Sequence, residues 1–157
     1  MTKSIEHWKL IADIASDTQR KFFEKKISDA FECRCVRLSD VFSNKEIKEI
    51  KRYVNPQAKM CFKNAYNLTN LLPNRVKYVE GEVTILDALG IEHAWNLVDD
   101  KFYVDVTMEL ALNDPDFVKQ EYTGLGTYDQ KTICKVATKT HVYGGVYDYI
   151  ELRHHYK

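Results

Sequence analysis

Three residues carry side chains that could act together on a carbonyl: Cys61, His93 and Asp105. A cysteine attacks as its thiolate, and its ordinary pKa of about 8.5 must fall for useful reactivity near neutrality. A neighbouring imidazole can take the thiol proton. A carboxylate can then fix the tautomer and orientation of the imidazole. The three occur in the order nucleophile, base, orienting group. Each also has a plainer reading: a buried thiol on an apolar helix stripe, a hydrogen-bonded sheet histidine, and a strand-end carboxylate.

The elements around them must do the positioning. Cys61 falls in the first turn of a helix expected over about 59–72, which Pro73 ends. Helix N–H groups without partners favour an anion there. Cys61, Ala65, Leu68 and Leu72 share one stripe. Strands are expected at 76–85, 92–98 and 102–107, with Gly81 marking a bulge or a close approach. The last two strands form a hairpin through Asp99-Asp100-Lys101. Side chains alternate along a strand, so the parity of that turn decides whether Asp105 can reach His93. A two-residue turn puts them on opposite faces. A three-residue turn sets His93 diagonal to Asp105, with His93, Trp95, Tyr103 and Asp105 on one face. The odd-length turn is the expectation.

Cys-x-x-x-Ala on a helix, then a strand with glycine, then His93-Ala94-Trp95, then Val104-Asp105-x-Thr107, resembles the transglutaminase-like superfamily, a branch of the papain-like cysteine enzymes. The match spans 59–107. The resemblance implies an α+β fold with a central Cys-bearing helix packed on an antiparallel sheet. It makes Cys61 the nucleophile, His93 the base and later acid, and Asp105 the orienting group, acting through an acyl-thioester. It implies thiol-dependent acyl transfer or hydrolysis of an amide, as in peptidases, deamidases and transglutaminases. The alternative is a catalytically inactive binding module of the same fold. The sequence departs from the family at three points: Lys59 where glycine is frequent two residues before the cysteine, Phe62 where tryptophan is common, and Val106 where proline is frequent. Gln57, four residues before Cys61, is a candidate oxyanion donor by analogy with papain-like enzymes, beside the backbone N–H of Cys61. Trp95 is a candidate wall or acceptor channel.

The rest of the chain frames this core. A length of 157 residues with 45% hydrophobic and 29% charged residues fits one globular domain. Residues 1–55 are expected as helical wrapping, 56–112 as the catalytic core and 113–157 as its completion. Helix is expected over 4–31 in two pieces, the second capped by Asp17 or Thr18. Ser43 with Glu46 forms a capping box for the next helix, and Asn55-Pro56 stops it. Asp87 to Gly90 and Gly124-Leu125-Gly126 read as turns, 129–139 as helix, and 142–153 as a possible last strand.

Lysine plus arginine equals aspartate plus glutamate at 23 each. No bulk charge points to nucleic acid or an anionic membrane. No run approaches the roughly 18 apolar residues of a membrane helix, and the N-terminus lacks a signal-peptide core. A cytoplasmic protein with reduced cysteines and a protein or peptide substrate is the expectation. No cofactor or metal is expected. Cys33-x-Cys35 with Cys134 and His141 lacks zinc-ligand spacing, and His154-His155 reads as a solvated tail. Glu80 and Glu82 are expected to face water, with contact to a substrate amine as the alternative.

Overall fold

The structure is a computed structural model that describes residues 1–87 and 89–153. The chain begins with two amphipathic helices, α1 (Lys3–Ile14) and α2 (Asp17–Asp29). Thr2 caps the first through Ile5 N–H, and Ser16 caps the second through Gln19 N–H, both at 3.4 Å. The cap of α2 is therefore Ser16 and not Asp17 or Thr18. Its extended backbone aims the hydroxyl back at the first turn. Trp8 and Ala12 bury one face of α1.

Five antiparallel strands follow in the order β1-β5-β2-β3-β4. They are β1 (Phe31–Cys33), β2 (Val76–Ile85), β3 (Leu89–Val98), β4 (Phe102–Val104) and β5 (Glu121–Tyr128). Beyond β1 the chain reaches the far edge of the sheet. Cys35 pairs with Tyr103 in the parallel sense, and Val36 N–H donates to the Tyr103 carbonyl at 2.8 Å. The sheet thus curls so that the chain beyond β1 meets the β4 edge. The concave side holds Cys33, Cys35, Val79, Val83, Trp95, Met108, Phe117 and Tyr122.

Helices α4 (Cys61–Leu71) and α5 (Gln130–Thr140) cover the convex side. There Ala65, Tyr78, Ala94, Ile133, Val136 and Val146 pack together. Helix α3 (Asn44–Tyr53), with the Ser43–Glu46 capping box in place, adds Ile50 to a neighbouring cluster with Leu38, Phe42, Leu68, Val98 and Val104. No helix among the described residues is long and apolar enough to cross a membrane.

Four local expectations give way to tertiary structure. Strand β4 ends at Val104, because Val106 enters a π-helical turn over Thr107–Ala111. Leu89 and Gly90 pair with Ile85 and Thr84 instead of turning, and Ala88 lies outside the described residues. Gly124-Leu125-Gly126 lies inside β5. Glu80 pairs with Gly126 and Gly81 with Gly124, so Leu125 is a bulged extra residue. The glycines there reflect close packing: a Cβ on Gly124 would meet the Phe31 ring at 2.3 Å. The segment after α5 is no strand, and it ends in a π-helical turn over Asp148–Leu152.

Candidate active site

Cys61 is the first residue of α4 and is half-buried. No side chain caps this helix at Met60. The first-turn N–H groups are left to another acceptor. The approach loop is clamped by Asn64, one turn further on. Its side chain accepts from Gln57 N–H at 3.1 Å and donates to the Gln57 carbonyl at 2.8 Å. The same amide donates to Thr107 Oγ1 at 2.9 Å. One buried asparagine therefore ties the Cys61 loop to the segment that follows Asp105. Lys59 takes the left-handed conformation, φ 64°. A glycine adopts that conformation freely, so the lysine holds it under strain.

The hairpin has the odd parity. Val98 pairs with Phe102 and Asn96 with Val104, which leaves Asp99, Asp100 and Lys101 in the turn. Asp99 and Asp100 sit at φ 53° and 54°. Asn96↔Val104 is the last pair, so His93 lies on β3 beyond the end of β4, opposite Gly81 of β2. His93 Nε2 and Asp105 Oδ2 are 2.7 Å apart. Asp105 is fully buried and accepts three more hydrogen bonds: Thr107 N–H and Met108 N–H donate to Oδ1 at 3.1 Å each, and Tyr122 Oη donates to Oδ2 at 2.7 Å. The π-helical turn that cuts β4 short thus presents its opening amides to the carboxylate.

Burial pushes the His93 pKa down. The Asp105 charge and hydrogen bond push it up, and an interaction with the Cys61 side chain adds to them, so that it is raised to about 10. The ring is an imidazolium at neutral pH. Nε2 is held by Asp105. The structure places His93 and Asp105 in hydrogen-bonding contact, with the Cys61 side chain close enough to help raise the His93 pKa.

The accessory candidates fall differently. Trp95 is 1% exposed and lies on the concave side, its ring stacked on His93 at 6.1 Å and edge-on to Tyr122 at 5.0 Å. It is placed as a wall behind the imidazole. Gln57 is exposed and donates its side-chain amide to the Asn55 carbonyl at 3.1 Å. Neither Glu80 nor Glu82 faces water. Glu80 accepts from Val146 N–H and Tyr147 N–H at 3.1 Å each, and from Tyr78 Oη. Burial raises its pKa. Glu82 accepts from Ser4 Oγ at 2.9 Å and Trp8 Nε1 at 3.1 Å, and pairs with Lys26 at 3.5 Å. These carboxylates anchor the C-terminal segment and the N-terminal helices to β2. A buried carboxylate needs such partners, and the sequence around it does not show them.

Cys33 and Cys35 are buried on the concave side, and burial raises the pKa of both thiols, that of Cys33 to about 11. Cys134 belongs to a separate cluster on α5, bonded to Asn70 and Tyr66. Among the described residues, no group of His, Cys, Asp and Glu is arranged to hold a metal. His154 and His155 lie outside the described residues. Two positioning residues escaped the sequence. Asn64, a polar side chain on the buried face of α4, left a faint signal. Tyr122 left none, because only the packed fold brings its hydroxyl to Asp105. No family model, curated protein or solved structure matches this chain.

Proposed function

We propose that the protein is a thiol enzyme with a transglutaminase-like, papain-like core, acting on an amide by way of an acyl-thioester on Cys61. The observation that carries this reading is the His93–Asp105 pair at 2.7 Å, buried and oriented by Tyr122, with its cationic ring interacting with the half-buried first residue of α4. In such a site the imidazole takes the thiol proton and later returns it to the leaving group.

Cys61 Sγ attacks the amide carbonyl carbon. The C=O electrons move onto oxygen, and the oxyanion is met by the backbone N–H of Cys61 at the uncapped helix start. His93 donates its Nδ1 proton to the leaving nitrogen as the C–N bond breaks. The products of this half-reaction are an amine and a thioester. His93, now neutral, takes a proton from water or a second amine as that nucleophile attacks. The S–C bond then breaks, and Cys61 and His93 return to their starting state. Water gives hydrolysis or deamidation; an amine gives transamidation. Asp105 keeps the ring oriented and stabilises its charge throughout.

The test is iodoacetamide labelling of Cys61 followed by mass spectrometry from pH 4 to pH 10. A triad enzyme labels selectively below the free-thiol range of about 8.5, and His93→Ala removes that low-pH labelling. Labelling that begins only in the free-thiol range and ignores His93→Ala would leave the inactive binding module as the better reading.

A further inference from the structure

Strand β3 is 10 residues long, and its outer neighbour β4 has only 3. Their pairing runs from Val98↔Phe102 to Asn96↔Val104 and stops there. On the other side β3 is paired with β2 along its whole length. The Asp105 turn stands beside His93. Beyond it Leu89, Gly90, Ile91 and Glu92 are all exposed. Among the described residues no strand runs next to them on the β4 side.

The pairs that are made fix the direction of the free backbone groups. The Tyr103 carbonyl accepts from Val36 N–H, so Tyr103 turns away from β3. In a strand the N–H and C=O of one residue point to the same side, and successive residues alternate. Phe102 and Val104 therefore face β3, and their partners Val98 and Asn96 face β4. The Val98 carbonyl agrees, since it accepts from Lys101 N–H in the turn at 3.0 Å. The register of β3 on β2 has no bulge, so the same phase continues along the strand. It turns the N–H and C=O of Gly90 and Glu92 outward to the open edge, and those of Ile91 and His93 inward to β2.

Natural sheets blunt an open edge with lysine, proline or a bulge. Residues 89–92 hold none of these. Their side chains on the His93 face are Leu89 and Ile91, 64% and 42% exposed. Residues two apart share a face, so these two lie in one row with His93 and Trp95. The edge thus combines outward backbone donors and acceptors with an apolar row that ends at the imidazole. A second extended chain answers both features, by main-chain pairing and by alternate side chains.

Resting on the acyl-transfer reading, we propose that the Leu89–Glu92 edge of β3 binds an extended segment of a polypeptide substrate as an added strand, with apolar side chains over Leu89 and Ile91, and so delivers the amide to Cys61. The end of the row at His93 singles out the substrate over a second copy of this chain.

The test uses Cys61→Ala protein, so that no chemistry intervenes, and the peptide acetyl-Lys-Val-Thr-Val-Gln-Val-Thr-Lys-amide. Amide exchange is followed by NMR. Without peptide, the Gly90 and Glu92 amides should exchange much faster than those of Ile91 and His93; slow exchange at all four overturns the open edge. Millimolar peptide should slow Gly90 and Glu92 about tenfold. Two further peptides carry N-methyl groups, one on the valines and one on the threonines and glutamine. Only one of these sets can face the edge, so one peptide should lose the protection and the other keep it. Leu89→Lys with Ile91→Lys, both at exposed positions, should abolish it with the melting temperature little changed. Absent protection, or equal protection by the two N-methyl peptides, overturns the inference, and neither result depends on a protein variant at the edge. A dimer of the free protein that the double lysine variant dissolves also overturns it. Protection by the parent peptide, in a protein whose native Cys61 labels only in the free-thiol range, supports the strand site and sinks only the acyl-transfer reading.

Discussion

Tyr122 Oη donates to the same Asp105 oxygen, Oδ2, that holds His93 Nε2, and both distances are 2.7 Å. The carboxylate is thus fixed from the side of β5 as well as by its own backbone turn. Tyr122→Phe keeps the ring packed against Trp95 and removes only this donor. It should destabilise the fold by about 1–3 kcal/mol. It should also alter the pH profile of Cys61 alkylation, because the Asp105 oxygen that holds the imidazole loses one of its two donors. A variant with reduced thermal stability and an unchanged pH profile would mean that Tyr122 supports the fold alone.

The His93 ring is protonated to about pH 10 in the folded protein, against about 6.5 for an ordinary histidine. Its folded value is raised, so proton binding favours folding. That contribution is complete below about pH 6.5 and is lost as pH rises through about 10. The difference in melting temperature between the native protein and His93→Gln should therefore be largest near neutrality and below, and should narrow toward alkaline pH. A constant difference across this range would show that the pair does not ionise as described.

Lys59 holds a left-handed backbone two residues before Cys61. Relief of that strain by Lys59→Gly is offset by the greater freedom of glycine in the unfolded chain. The net change should lie between zero and about 1 kcal/mol of stabilisation. Lys59→Val, branched at Cβ, should destabilise by about 1–3 kcal/mol and slow alkylation by disturbing the loop before Cys61. Chemical denaturation of both variants checks the sign: a glycine variant that is clearly less stable than the native protein would contradict the strain.

Gly81 lies where β5 approaches most closely. A Cβ there would meet the Thr123 carbonyl oxygen at 2.0 Å, and backbone cannot step aside as a flexible side chain can. Gly81→Ala should cost about 1–3 kcal/mol or more and displace the β2 segment opposite His93. Iodoacetamide labelling near neutrality should fall along with stability. Native-like melting for this variant would refute the packing described between the two strands.

What is local in this protein is legible in its sequence. The capping box at Ser43 and Glu46, the stop at Pro56, the first-turn placement of Cys61 and the three-residue hairpin all follow from side-chain chemistry within a few residues. The hairpin is the most informative of these. Strand alternation and one turn length are enough to place His93 and Asp105 within reach of each other. Glu80 and Glu82 illustrate the opposite case. Alternating carboxylates on a strand read as a wet face, but their partners are 66 and 78 residues away, at Val146 and Ser4. Gly124-Leu125-Gly126 reads as a turn for a similar reason: the tight contact that asks for glycine is with Phe31, distant in sequence.

The sequence alone therefore determined the order and type of the three candidate residues, the elements that bear them and the parity that lets two of them meet. Only the tertiary structure decided how the sheet curls through Cys35 and Tyr103, which tyrosine steadies Asp105, and how Asn64 ties the Cys61 loop to Thr107. The physical reason is the range of the forces. Capping, alternation and turn geometry act between near neighbours and leave a period in the chain. A buried carboxylate or asparagine is satisfied by whatever donor the packed fold brings to it, and that donor carries no mark in the sequence.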